Sequence, residues 1–211
     1  MHENERKIFT IGHSNHTMDF FLRLLIGNRV TAVADVRSAP YSRFNPHFNR
    51  EQLAAALNDS GIMYTYLGRE LGGRSDDQRC YENGRIRYDR IARTQLFSDG
   101  LRRILQGAEK YDLALMCAEK EPLHCHRALL IGHELDKLGI EVAHILPDGR
   151  PEPHSNAMER LLAEFDRKEG DALFRQEMPH GDLIEEAISY QTTRVGHSVK
   201  QVARVSKKEV R

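Results

Sequence analysis

Two thiols, a carboxylate, an imidazole and a guanidinium fall together between Cys117 and Arg127, as Cys117, Glu119, Cys125, His126 and Arg127. A thiol near a helix N-terminus beside His and Arg has its pKa lowered by the helix dipole and the cations, which makes a thiolate nucleophile. Cys125, or else Cys117, is therefore expected to attack a substrate, with His126, Glu119 or His13 moving protons. The same donors offer an alternative. Cys117, Glu119, Cys125 and His126 are ligand types for zinc or iron, with His13 or Asp35 to complete the shell. No Cys-x2-Cys pair is present, so the leading expectation carries no metal and no other cofactor.

Arg127, Arg37, Arg43 and Arg74 would together make an anion-selective cleft, suited to phosphate or carboxylate. Ser14, Asp35, Gly72 and Gly73 lie in the same loops and complete the expected binding set. Arg37 has a second reading, as the salt-bridge partner of Asp35. Phosphatase and rhodanese loops place a Cys at a strand end and an Arg at the following helix. Their Cys-x5-Arg spacing is absent here, since Cys117 precedes Arg127 by ten positions and Cys125 by two.

For these residues to meet, one rim of a sheet must gather them. Short β-branched or apolar runs alternate with helical patterns, the signature of βαβ units and a parallel sheet. Strands are expected at 8–11, 31–36, 63–67, 113–118 and 142–146. Helices are expected at 17–28 with Thr17 as N-cap, at 50–58, at 88–110 with a break near Ser98-Asp99-Gly100, and from Pro122 or His124 to Leu138-Gly139. In the last of these His124 shares the apolar stripe and should pack on the sheet. The fold class is α/β: a Rossmann-like three-layer sandwich around a mainly parallel five-stranded sheet. Ligands of such sheets bind outside the carboxyl ends of the strands, where every residue named above is expected to lie.

The stretch 68–87 is rich in Gly and Arg with no clear period; a loop that long inside a domain is usually functional, and Cys80 within it should be exposed. Residues 1–150 form the expected α/β core and 151–190 a helical extension packed on it, with helices at 156–167 and 182–190. Residues 191–211 hold six Lys/Arg against one Glu and read as a basic tail, flexible unless bound.

The 211 residues carry 31 Lys+Arg against 31 Asp+Glu, which excludes a globally basic nucleic-acid binder but not a local basic patch. No apolar run approaches the roughly 18 to 20 residues of a membrane span, and the charged start MHENERKIFT lacks a signal-peptide core. Three cysteines are too few for a disulfide framework, so a reducing cytoplasm is the expected compartment. The oligomeric state is not legible.

Four motifs in order carry a family resemblance: Gly12-His13-Ser14, Asp35-Val36-Arg37, Leu71-Gly72-Gly73, and Cys117-Ala118-Glu119 with Cys125-His126-Arg127. Over about residues 7 to 148 the chain resembles the bacterial and archaeal family called domain of unknown function 488. The resemblance implies a fold and a site location and supplies no reaction. The expectation is thus an enzyme, a thiol-dependent hydrolase or transferase, acting on a small anionic, phosphate- or nucleotide-like substrate. The alternatives are a module that binds nucleic acid through the cleft and basic tail, and a metal-binding protein.

Overall fold

The computed structural model describes residues 7–169 and 178–196. Most of the predicted tail, residues 197–211, lies outside them.

The chain runs through β1 (Lys7–Gly12), α1 (Met18–Gly27), β2 (Ala32–Asp35), α2 (Arg50–Asp59), β3 (Met63–Tyr66) and α3 (Gly68–Leu71). A two-stranded hairpin, β4 (Tyr81–Glu82) and β5 (Arg85–Ile86), precedes α4 (Tyr88–Ile91), α5 (Gln95–Ala108) and β6 (Leu113–Cys117). A π-helical segment (Arg127–Gly132) leads into α6 (His133–Lys137), followed by β7 (Glu141–Ile145), β8 (Pro151–Pro153), α7 (His154–Glu169) and α8 (His180–Val195).

The main sheet has the order β3-β2-β6-β1-β7-β8. Five strands are parallel, as the alternation of runs required, and the α/β class stands. The sheet has a sixth strand, however: β8 pairs antiparallel with β7 at the edge. Its sequence, Pro-Glu-Pro, hides it, because proline cannot donate to a ladder and enters sheets only at edges.

Period-two alternation assigns the two faces. On β6, Ala114 and Met116 point toward α1 and α2, packing with Phe21, Leu25, Leu53 and Leu57. Leu113, Leu115 and Cys117 point the other way, into the cluster formed with Ile104, Leu129, Ile131 and Leu135. Ala157, Met158, Leu161, Phe165 and Ile188, from α7 and α8, belong to that second cluster. Cys117 thus faces the side on which the π-helical segment packs.

Several expectations are corrected. The 68–87 stretch is not structureless, since α3, a 3-10 turn at Gln78–Cys80 and the hairpin occupy it. Cys80 is buried, not exposed, because the hairpin folds it onto the core. The break in the 88–110 helix falls at Ala92–Thr94, where Thr94 caps α5 by accepting from Phe97 N. Gly100 lies inside α5, where a Cβ would stand 2.7 Å from the Leu71 side chain; it serves close packing, not a stop. His124 is exposed, because Pro122–His124 forms a separate 3-10 turn and the helical phase starts anew after it. Residues 191–195 belong to α8, and Gln191 and Thr192 are buried, Gln191 donating to Leu123 O at 2.9 Å.

Candidate functional site

β1 and β6 are neighbours, and the chain leaves them toward opposite faces, α1 on one side and the π-helical segment on the other. A parallel sheet commonly opens a ligand crevice at such a point. Here the loop after β6 fills it. His13 N donates to Cys117 O and Ser14 N to Ala118 O, both at 2.9 Å. A Cβ on Gly12 would lie 1.9 Å from Glu119 O, so only glycine lets the two loops close. Ser14 takes a left-handed backbone with φ of 49°, an uncommon conformation for serine.

Arg127 locks this closure. Its side chain is 0% exposed, and its guanidinium donates to Glu119 O at 2.6 Å and to Lys120 O at 3.0 Å. The predicted anion ligand thus holds backbone carbonyls.

Arg37 is committed as well. Its Nε and one terminal nitrogen grip Asp35 at 2.9 and 2.6 Å, a bidentate pair with both partners buried. Tyr64 donates to the same carboxylate at 2.9 Å. The other terminal nitrogen of Arg37 lies 3.3 Å from His13 Nε2, while His13 Nδ1 lies 2.8 Å from Ser14 O. A carbonyl only accepts, so Nδ1 carries the proton and Nε2 accepts from Arg37. His13 stacks on Phe48 at 4.4 Å. Burial, then the Arg37 charge, lowers its pKa to about 4. Burial opposes the charge on Arg37, but the bonds to Asp35 outweigh it and raise its pKa. The motif after β2 is therefore a closed charge network.

The reactive cluster sits one strand over. Cys117 ends β6, and Cys125 and His126 immediately precede the π-helical segment. Glu119 Oε2 accepts from Cys117 Sγ at 2.9 Å and from Cys125 Sγ at 3.1 Å. His126 Nδ1 lies 3.7 Å from each sulfur. Its Nε2 donates to the Val36 carbonyl at 3.0 Å, so Nε2 carries a proton and Nδ1 faces the thiols; burial works to lower the pKa of this ring, but Cys125 and Glu119 outweigh it and raise it. The three donor atoms of Cys117, Cys125 and His126 lie mutually within 4.8 Å. The cluster is dry: Cys117 is 3% exposed and Cys125 2%.

Burial raises the pKa of Glu119, but the Cys117 thiol and His126 outweigh it and lower it to about 2. Burial drives Cys117 well above the ordinary thiol value. At Cys125 burial acts the same way but is overcome by the Cys117 thiol, Arg127 and His126, so Cys125 is the more acidic thiol, at about 6.

Gly73 packs on this cluster, since a Cβ there would lie 2.9 Å from the His126 ring, and Gly72 packs on Ser38. Arg74 and Gly72 line an open cleft. Arg43 is exposed, its guanidinium 4.7 Å above the Phe44 ring.

A family model described as domain of unknown function DUF488 matches residues 17–133. The chain belongs to the DUF488 family. The match contains three of the four motifs and leaves Gly12-His13-Ser14 just outside. No curated protein matches the chain, and no solved structure does. In this DUF488 member the motifs meet as neighbours: the first touches the fourth through Gly12 and Glu119, the second touches it through Val36 and His126, and the third through Gly73. Sequence reasoning missed Tyr64, Phe48, Ser38 and the Val36 carbonyl. The register Val33↔Tyr64 and Asp35↔Tyr66 would have placed Tyr64 near Asp35, but pairing of two strands far apart in sequence leaves no local signal.

Proposed function

We propose that this protein binds a single zinc or iron ion through Cys117, Cys125 and His126, whose donor atoms lie mutually within 4.8 Å, with Glu119 beside the two sulfurs. The observation that carries the reading is His126: Nε2 tied to a backbone carbonyl, Nδ1 presented to two sulfurs at 3.7 Å each. Metal-binding histidines typically have their second nitrogen anchored in this way. Tetrahedral zinc with ordinary Zn–S and Zn–N bonds separates a sulfur from a nitrogen by about 3.5 Å, close to what is found. Deep burial suits a closed centre of this type. The ion would replace the thiol protons, and Arg127 would hold the loop that carries Glu119.

The test is metal analysis of protein purified without chelator. About one zinc or iron per chain is expected, lost in Cys117→Ser and in Cys125→Ser, with cobalt substitution giving a sulfur-to-cobalt charge-transfer band. Metal well below stoichiometric, with no such band on adding cobalt to the reduced protein, overturns the reading.

A second reading, thiol chemistry by a hydrolase or transferase on an anionic substrate, draws support from the Arg127 backbone N–H, which donates to Cys125 Sγ at 3.5 Å. It requires metal-free protein in which Cys125 alkylates fast at neutral pH. Either chemistry needs reduced thiols, and Cys80, Cys117 and Cys125 are all free, which supports a reducing compartment such as the cytoplasm. No helix among the described residues is long and apolar enough to cross a membrane.

A further inference from the structure

Beyond the buried cluster, a cleft of about 540 Å³ opens at the carboxyl ends of β2 and β3, a size that suits a small-molecule ligand. Ser38, just after β2, and Gly68, just after β3, line it together with residues of α3, the Arg74–Asp77 segment and the start of α5. We propose that this cleft binds a phosphorylated small molecule, its phosphate held by Arg74 and Arg69 and its apolar body lying along Tyr66, Ile91 and Leu96.

The argument begins with charge. Of the carboxylates lining the cleft, Glu70 is paired with Arg103 and Asp77 with Arg79, which leaves Asp76, an exposed residue. Among the described residues neither Arg69 nor Arg74 has a carboxylate at ion-pair distance, so the cleft keeps an excess of positive charge. Arg74 is the stronger indication. Its Nε is buried and has no hydrogen-bond partner, a state it shares with Arg127 Nε, but Arg74 lines an open cleft while Arg127 is sealed among backbone carbonyls; Arg37, Arg79, Arg87 and Arg160 have their Nε bonded to a carboxylate. A buried donor without an acceptor marks a place where an acceptor belongs.

The hydroxyls agree in sign. Ser38 Oγ accepts from Arg74 N at 3.2 Å, and Ser75 Oγ accepts from Asp77 N at 3.1 Å. Each hydroxyl proton therefore remains to be donated, which suits an oxyanion. Ser38 can approach this closely because Gly72 has no side chain; a Cβ there would lie 2.3 Å from Ser38 Oγ. Tyr66 adds a ring whose partner is a cation, the Arg50 guanidinium 4.7 Å from its centroid. Leu96 is a large apolar side chain left 46% exposed beside it. A ligand with a phosphate at one end and an aromatic or aliphatic body matches both ends of the cleft.

Calorimetric titration with AMP, inorganic phosphate and adenosine tests this, AMP standing for any phosphate ester with an aromatic body. AMP should bind, phosphate more weakly, and adenosine not measurably. Arg74→Ala and Arg69→Ala should each weaken AMP tenfold or more, and Arg74→Lys, which keeps the charge but loses the fork, should fall between. Because these residues are separate from the thiol cluster, Arg74→Ala should keep whatever metal the parent protein holds. No binding of AMP or phosphate at millimolar concentration, adenosine binding as tightly as AMP, or AMP affinity unchanged in a folded Arg74→Ala protein would each overturn the proposal.

Discussion

The carbonyl of Val36 and Nε2 of His126 are joined by a 3.0 Å hydrogen bond across 90 residues of sequence. This one bond sets the position of the imidazole between the two thiols and keeps a proton on Nε2. Val36 lies just past β2 and is itself held, its N–H donating to Met116 O at 3.0 Å. The ring is therefore referenced to the sheet, not to a loop.

Gly73 bears on the Cγ and Nδ1 atoms of that ring. A methyl group there would stand 2.9 Å from it, so Gly73→Ala must displace His126. Metal affinity is expected to fall about tenfold to a hundredfold, the usual cost of disturbing a group that orients a ligand. Competition with a chromogenic chelator measures this; an unchanged affinity would show that the ring does not bind the ion.

Arg127 is expected to matter for folding. Arg127→Ala leaves two carbonyls without their charged donor and opens a cavity in a fully buried place, a loss of about 3 to 5 kcal/mol. Arg127→Lys should rescue little, because a lysine cannot present two donors in a fork. Urea denaturation of both variants provides the comparison.

Gly12→Ala should be among the most damaging small changes. Its methyl would stand 1.9 Å from a backbone oxygen, which no side-chain rotation relieves, and the cost should reach or exceed about 3 kcal/mol. The expected signature is a lower urea midpoint together with loss of metal, since Glu119 rides on the displaced loop.

Acid should destabilise the protein through histidines outside the thiol cluster. Thr10 Oγ1 lies 2.8 Å from His144 Nδ1, and His144 Nε2 lies 3.0 Å from His154 Nδ1, all buried. Burial holds the pKa of His154 at about 4, as it does that of His13, and drives His144 well below its ordinary value. In the unfolded chain these rings protonate near pH 6.5, so below that pH the unfolded state binds more protons. Their contribution is complete above about pH 6.5 and is lost as the pH falls toward 4, with His13 and His154 each worth up to about 3 kcal/mol. Stability measured between about pH 7 and pH 5 should show this slope, and His154→Leu should flatten it.

The central strands were legible because they are covered on both faces and so read as plain apolar runs, as in Leu113–Cys117. The thiol cluster was legible for a related reason: parallel sheets collect their chemistry at strand ends, and Cys117, Glu119, Cys125 and His126 follow the clearest strand. The features that escaped were set by backbone or by long-range pairing. The Val36 carbonyl has no residue type to announce it. Arg127 looks like an anion ligand until its fork is seen on two carbonyls, and Arg37 until Asp35 is seen to claim it. Cys80 gave no sign of burial, because a single 3-10 turn followed by strands of two residues is too short to leave a period.

The π-helical segment from Arg127 to Gly132 works as a phase shifter. A turn wound wider than an α-helix spends an extra residue without advancing the angular position of the helix beyond it. Deleting one residue between Ala128 and Ile131 would restore ordinary pitch with α6 still in phase with His126, whereas deleting Glu134 from α6 itself would turn everything downstream by about 100°. In that second variant Leu135 would leave the core cluster that now buries it. The π-helical turn is therefore the place along this helix where losing one residue should be accommodated best, while the same loss within α6 should be harder to accommodate than most substitutions.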